Sequence, residues 1–409
     1  MLNCVQWKCE LIANTKYNPK FDLKVGLTIM KNTPTIFSFF SGAGFLDLGF
    51  EKAGFNIAFV NEYHAPFLET YIHSREVMDI PKPEYGYHLR DIAEFEQESE
   101  SQTLSNLVNQ KKSQNQLVGF IGGPPCPDFS IAGKNKGHEG ENGKLSATYV
   151  ELICKQQPDF FLFENVKGLW RTSKHRAFYE QMKTKLNDCN YVTTERLINS
   201  IEYGAPQYRE RIILIGFHKD ALTKLGIELD SNQSLSELFP WEKHLKYRVE
   251  EINTMPWSGM EDFVVDGLRQ KPDGIGEELT VDYWFKKNDV ENHPNAHRYF
   301  TPRAGLAKFL IIPEGDDSKK SYKRLHRWRP SPTVAYGNNE VHLHPYKARR
   351  LSIAEALALQ SLPKEYELPP TITLSNAFKT VGNGVPFEAA KGIAETILDF
   401  LKGESRDEQ

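Results

Sequence analysis

The sequence predicts an α/β fold: a doubly wound, mostly parallel sheet with a second, smaller and irregular domain set into it. Three features carry that expectation. Short apolar runs alternate with segments of helical period from Pro34 to about Lys219. A glycine turn joins the first such run to the first such segment. The alternation then stops near 220 and resumes only near 322.

TIFSFF is an apolar, aromatic run that ends in the turn SGAG, and FLDLGFEKAG sets Phe45, Leu48 and Ala53 on one helical face before Gly54. FNIAFVNE reads as the second strand and APFLETYIHSR as the second helix, so a βαβ unit starts at the glycine turn. LVGFIGG (117–123), a helix around Ala147 to Gln157, DFFLFENV (159–166), a helix from His175 to Leu186, YVTTERLI and RIILIGF (211–217) continue the series. An open, mostly parallel sheet with helices on both faces accommodates them. Residues 1–33 show no sustained period and read as an extension lying against the main body. The main α/β unit is placed at 34–219. The stretch 220–322 mixes Trp, Pro, Gly and both charges without alternation and reads as a separate domain. From 323 to 401 regularity returns, with ARRLSIAEALALQ a helix, LPKEYELPP an extended turn and VPFEAAKGIAETILDFL a last helix with Pro386 near its start; 402–409 is a tail.

At 409 residues the chain is long enough for two to three units at ~150 residues each. No apolar run approaches the ~18 residues that span a bilayer, and the N-terminus lacks the apolar stretch of a signal peptide, so a cytoplasmic protein without a membrane partner is expected. Five cysteines, odd in number and without a CxxC pair, argue against structural zinc and against a disulfide framework. Lys plus Arg number 50 against 54 Asp plus Glu, so a nucleic-acid site would have to be a local patch.

Four groups carry chemistry. The turn Ser41-Gly42-Ala43-Gly44 is followed about twenty residues on by Glu62 at the end of the next strand. Glycines admit a ligand to the backbone at a helix N-terminus, and the acid can take ribose hydroxyls. Asp47 stands where a third glycine would complete the dinucleotide fingerprint, which suits a mononucleoside ligand such as S-adenosylmethionine better than NAD. Second, Gly122-Gly123-Pro124-Pro125-Cys126-Pro127-Asp128-Phe129-Ser130 follows a strand end, where such sheets keep their active sites; three prolines fix Cys126, and IAGKNKGHEGENGK after it has the composition of a cationic lid. A thiol there is a candidate nucleophile. Third, Glu164 in DFFLFEN arrives on an apolar strand at the same sheet edge, where desolvation raises its pKa and suits it to proton donation. Fourth, QYRER places Arg209 and Arg211 on one side of a strand, able to hold Glu164 and an incoming phosphate or carbonyl. Each group also has a plain structural reading: a tight packing turn, a buried small hydrophobe, a helix cap or salt bridge, a surface ion pair.

In this order the four groups resemble the cytosine-C5 DNA methyltransferases. FSFFSGAGFLDLGFEKAGF, with Phe40, Gly42 and Gly44, is similar to the family's cofactor loop, Asn61-Glu62 to its ribose acid, Asp91-Ile92 to its adenine contact, GGPPCPDFS to its nucleophile loop, FENV to its ENV motif and QYRER to its QxRxR motif. ARRLSIAEALALQSLP resembles the helix supporting the DNA-facing domain, and Val381-Gly382-Asn383-Gly384-Val385 resembles the GN-V turn that returns to the cofactor pocket. The likeness covers about 34–219 and 322–401; Pro127 stands where many members have Gln, and Gly384 where many have Ser.

The resemblance implies a Rossmann-like methyltransferase fold and S-adenosylmethionine as cofactor, held by Phe40, Gly42, Gly44, Glu62, Asp91, Ile92, Pro125 and Asn383. It implies that Cys126 adds to C6 of a flipped-out cytosine, that Glu164 acts at N3, and that Arg209 and Arg211 orient Glu164 and the base; no metal is required. Ser130, Lys134 and Lys136 are the implied lid contacts to double-stranded DNA. The 220–322 stretch, with RYFTPR (298–303) inside it and KKSYKRLHRWR (319–329) at its end, is the implied target-recognition domain. Members that look similar are bacterial modification enzymes, which implies a restriction endonuclease acting on the same site as a partner, and action as a monomer. Three other readings stay open: transfer RNA as acceptor, a catalytically silent DNA-binding adaptor, and an NAD oxidoreductase.

Overall fold

The computed structural model describes residues 32–125, 141–227, 234–302, 306–319, 321–334 and 342–403. The extension 1–31, the stretch 126–140 with Cys126, Ser130, Lys134 and Lys136, and the tail from 404 lie outside the described residues.

Seven strands form one sheet: β1 (Thr35–Phe39), β2 (Asn56–Glu62), β3 (Tyr87–Leu89), β4 (Val118–Gly122), β5 (Phe160–Val166), β6 (Tyr191–Asn199) and β7 (Glu210–His218), in the order β3-β2-β1-β4-β5-β7-β6. The first five are parallel, β7 runs antiparallel to both β5 and β6, and the sheet is mostly parallel as the sequence predicts. β1 and β4 are buried at every position because helices cover both faces. Alternate residues therefore feed two apolar cores. Ile36, Ile57, Leu162 and Ile213 point to one, with Phe50 and Ile397; Phe37, Phe39, Phe120, Phe161 and Phe163 point to the other, with Tyr149 and Leu186.

The helices flanking the sheet are α1 (Phe45–Ala53), α2 (Ala65–Val77), α3 (Glu98–Ser113), α4 (Glu141–Gln156), α5 (Lys167–Arg171), α6 (Ser173–Asp188) and α7 (Lys219–Lys224). The expected helices are all present. The helix α3 is an addition: its ESESQTLSNLVNQKKS buries only Ser101, Leu104, Val108 and Lys111, too few apolar groups to give a visible period. A second addition is a disulfide between Cys154 of α4 and Cys189 just after α6, with Cα atoms 5.5 Å apart. The sequence argues against a disulfide framework, and this one pair is not legible there, since the fold brings together two residues whose 35-residue separation carries no local signature.

Beyond α7 lie short helices, α8 (Leu235–Leu238), α9 (Val249–Thr254), α10 (Val281–Lys287) and α11 (Leu306–Ile311), and a pair of two-residue parallel strands, β8 (Lys323–Arg324) and β9 (His342–Leu343). Buried charges hold this region. Arg324, fully buried, donates to the carbonyls of Ile312 (2.8 Å), His344 (2.5 Å) and Phe309 and lies over the Phe263 ring. Arg327 grips both oxygens of Glu314 at 2.8 and 3.0 Å, and Arg269 reaches the same carboxylate at 2.9 Å.

The chain then returns to the sheet through α12 (Ile353–Leu359), α13 (Leu374–Asn383) and α14 (Phe387–Lys402). The α12 helix starts later than the pattern predicts, at a capping box between Ser352 and Glu355, because the preceding Arg349 turns back to pair with Glu355. Val381, Gly382 and Asn383, expected in a turn, form the last turn of α13, and the chain reverses at Gly384. α14 lies along α1, where a Cβ on Gly49 would stand 2.6 Å from Ala390, so only glycine allows that approach.

Candidate active site

The strand order reverses between β1 and β4, and the carboxyl ends of β1 to β5 open on one crevice. The glycine turn stands after β1. Phe40 (φ 51°), Gly42 (φ 57°) and Gly44 (φ 77°) are all left-handed, a conformation that glycine takes freely and that strains Phe40 by roughly 1–3 kcal/mol. A Cβ on Gly44 would strike the Tyr71 ring, whereas one on Gly42 would meet nothing within 4 Å, so the turn packs on one side and is open on the other. Ser41 Oγ, beside that opening, is buried and has no hydrogen-bond partner among the described residues. Glu62, at the end of β2, accepts from the Gly42 N–H (2.8 Å) and the His64 N–H (2.8 Å), which fixes its carboxylate at the open side. Burial pushes the Glu62 pKa up, against the pull of those two N–H groups. A turn with open backbone, an unpartnered hydroxyl and a fixed carboxylate fit a nucleoside.

Asp91 follows β3 and caps a short helical turn, accepting from Ala93 N at 2.9 Å. Ile92 is buried in the second core with Phe95. Pro125 is exposed at the end of the described loop, and Asn383 is exposed at the end of α13.

Glu164 lies near the end of β5, 9% exposed. Arg211 on the antiparallel neighbour β7 stands two residues from Ile213, the direct partner of Glu164, and its Nε meets Glu164 Oε1 at 2.9 Å. On the other side is Gly123, where a Cβ would lie 2.6 Å from Glu164 Oε2. Gly123 leaves room there for the carboxylate, and an added methyl would have to displace Oε2. Asn165 Nδ2 donates to Pro124 O (3.3 Å) and ties the same loop down. Burial raises the Glu164 pKa, opposed first by Arg211 and then by Arg209. The sequence expectation that both arginines hold Glu164 needs revision for Arg209. Its Nη2 donates to the carbonyls of Gly382 (2.8 Å) and Asn383 (3.2 Å), so this fully buried guanidinium braces the end of α13 and acts on Glu164 through its field.

Several groups that support the site escape sequence reasoning. Asp47, read only as a missing glycine, is buried under the turn and accepts from Ser38 Oγ (2.9 Å) and Tyr71 OH (3.0 Å); burial raises its pKa. Arg75 beside it pairs with Glu51 (3.0 Å) and donates to Gly44 O (2.7 Å). Tyr366 OH donates to Ala43 O at 2.6 Å, clamping the turn from the C-terminal part of the chain. Gln207 and Gln360, both fully buried, join QYRER to α12 and α13 through bonds to each other and to the carbonyls of Leu359 and Val381. A carboxylate inside an apolar helical start was the one available signal, at Asp47.

The strand order, the turn and the carboxylate at the end of β5 together describe the Rossmann-like fold of the cytosine-C5 methyltransferases. The family model for C-5 cytosine-specific DNA methylase matches residues 35–399, and the chain belongs to that family. It is a DNA cytosine-5 methyltransferase of the type II group: the Type II methyltransferase M.NmeDI of Neisseria meningitidis serogroup C is 58% identical over 404 residues, 96% of this chain and 92% of that one. M.FnuDI of Fusobacterium nucleatum is 32% identical over 390 residues, 90% of this chain and 94% of that one. Among solved structures, the S. pombe Dnmt2 methyltransferase shares the fold with a TM-score of 0.54 at 12% identity, covering 92% of this chain and 100% of that chain. Family and fold imply S-adenosylmethionine as the methyl donor. Among the described residues, no helix is long and apolar enough to cross a membrane.

Proposed function

We propose that the chain methylates a cytosine extruded from a specific site in double-stranded DNA, by way of a covalent adduct of Cys126. Cytosine C5 is a weak nucleophile while the ring is conjugated. Addition of the Cys126 thiolate to C6 makes an enamine, with negative charge developing toward N3, and C5 becomes reactive. Glu164 places a proton at N3. The observation that carries this reading is Glu164 itself: a carboxyl set between Gly123 and Arg211, its pKa raised by burial and its direction fixed by a guanidinium, is suited to proton donation. S-adenosylmethionine supplies the methyl group that C5 takes. Loss of the C5 proton then allows the C6–S bond to break, which frees Cys126 and restores the aromatic ring.

Gly42, Gly44 and Phe40 give the backbone cradle for the donor, Glu62 its ribose contact, and Asp91, Ile92, Pro125 and Asn383 the rest of the pocket. Cys126 is reached only when the base leaves the helix, at a cost of about a few kcal/mol of unstacking. Ser130, Lys134 and Lys136 would contact DNA as the loop closes. The 220–322 stretch serves as the target-recognition domain between the catalytic parts 34–219 and 323–401. We assign the activity to host protection in the cytoplasm, as a monomer, alongside an endonuclease that cuts the same site.

Bisulfite sequencing of plasmid DNA from a methylation-deficient host tests this. Protected cytosines at one short motif are expected with the wild type and not with Cys126→Ser. A Cys126→Ser enzyme of near wild-type rate would remove the nucleophile assignment. Glu62→Ala should raise KM for S-adenosylmethionine about tenfold or more with less effect on kcat, in keeping with the loss of a charged hydrogen bond of ~1.5–3 kcal/mol.

A further inference from the structure

A cavity of about 590 Å³ lies beside QYRER, apart from the crevice at the strand ends. Along QYRER, Gln207 and Arg209 are fully buried and Arg211 turns to Glu164, so Tyr208 faces the other way, into this cavity. The wall opposite comes from the irregular region and is tied to Tyr208 directly: Tyr208 N donates to Ser331 O (3.0 Å), and Thr333 Oγ1 donates to Tyr208 O (2.7 Å). Trp257 lines the cavity with its indole N–H donated to Ile252 O at 2.8 Å, and its ring and that of Tyr208 pack on the small cluster of Ile201, Ile252 and Leu279 that backs this wall. The guanidinium of Arg329 is fixed by the carbonyls of Ser258 and Gly315, and Lys323 adds a second cation. Asp317, on the rim, is an exposed acceptor.

Two aromatic rings, two cations and one carboxylate around a single space match one ligand chemistry. An anion alone has no use for the rings, and an apolar ligand none for the cations. A nucleotide uses all three: rings stack on its base, cations meet its phosphates, and a carboxylate accepts from an amino group of cytosine or adenine. Tyr208 stands three residues from Arg211, about 10 Å along an extended chain at ~3.3 Å per residue, or about three base steps of ~3.4 Å. We propose that this cavity receives a second unstacked base, within about three nucleotides of the target cytosine, and that Tyr208, Trp257 and Asp317 make the enzyme sensitive to which base it is. The inference rests on the reading of the chain as a base-extruding DNA methyltransferase.

The test uses duplexes carrying the motif mapped by bisulfite sequencing, with an abasic site at each neighbouring position in turn. Methyl transfer by the full-length enzyme is compared with Trp257→Ala and Asp317→Asn. One position within three of the target should cost the wild type about tenfold in kcat/KM when made abasic, and Trp257→Ala should abolish that difference. A 2-aminopurine at that position should be quenched on binding to the wild type and bright with Trp257→Ala. Asp317→Asn, a change on an exposed side chain that leaves the packing alone, should alter the base preferred there. Wild-type methylation with no sensitive neighbouring position, or with a sensitivity that both variants keep, overturns the cavity assignment alone. A wild type that methylates no duplex overturns the methyltransferase reading and the cavity with it.

Discussion

Asp47, Glu51, Glu62 and Glu164, set around the glycine turn and at the strand ends, have pKa values pushed up by burial, Glu51 to about 7. Glu314 and Glu355, just as buried, have theirs pulled down, Glu314 by Arg327 and Glu355 by His344 and Arg349. The sheet stands on apolar cores, and its buried acids meet fewer hydrogen-bonding cations than their desolvation would require. The region beyond α7 shares its larger apolar cluster, with Val281, Trp284, Phe285 and Leu325, with α1 and α12 and has otherwise only small ones such as Phe309 with Leu343, while Glu314 within it and Glu355 at the start of α12 serve as the centres of multidentate ion pairs. In the first region a carboxylate is a desolvated group set in a finished fold. In the second it is the means by which loops are gathered.

That contrast can be broken by mutation. Glu164→Gln should lower kcat by about 10²- to 10⁴-fold while leaving the melting temperature unchanged or raised, since a desolvated acid has been removed; a large loss of stability would contradict the contrast. Glu314→Gln should do the reverse, costing about 3–5 kcal/mol because Arg327 and Arg269 lose their counter-charge, with a rise in KM for DNA exceeding any fall in kcat. Gly123→Ala sharpens the first half: the added carbon meets Glu164 Oε2, so activity should fall with Glu164 chemically intact, and unchanged kinetics would show that the loop yields there.

The smallest effect is with pH, and its sign differs between the regions. A depressed folded pKa contributes stability above the unfolded value, near 4.5, that is lost as pH falls through the folded one, which applies to Glu314 and Glu355. A raised folded pKa contributes stability that is full below the unfolded value and lost as pH rises through the folded one, from 4.5 to about 7 for Glu51. Hydrogen-exchange protection factors should therefore fall below about pH 4.5 for 306–319 and 342–360 before they fall for 35–62. A uniform loss would refute the assignment.

The same contrast explains what the sequence discloses. TIFSF, NIAFVNE and FFLFENV fall on β1, β2 and β5 because a strand buried on both faces must be apolar along its length, and Glu62 and Glu164 stand out as the charges that end such runs. The likeness of QYRER to a known motif singles out Arg209 and Arg211, but the role of Arg209 depends on carbonyls 173 and 174 residues away. The Cys154–Cys189 pair and the Asp47–Tyr71 bond are likewise made by tertiary approach. In the irregular region Arg324 donates to backbone carbonyls, which every residue type offers, so no pattern of side chains announces it.

The clamp from Tyr366 to Ala43 joins residues 323 apart, and α14 closes on α1 across a still longer span. During synthesis at ~5–20 residues per second, the glycine turn must wait on the order of 20 s or more before the groups that hold it exist. Until then the turn stands without the hydroxyl and the helix that hold it in the folded chain. The turn and its supports are therefore complete only in chains translated through the last helix.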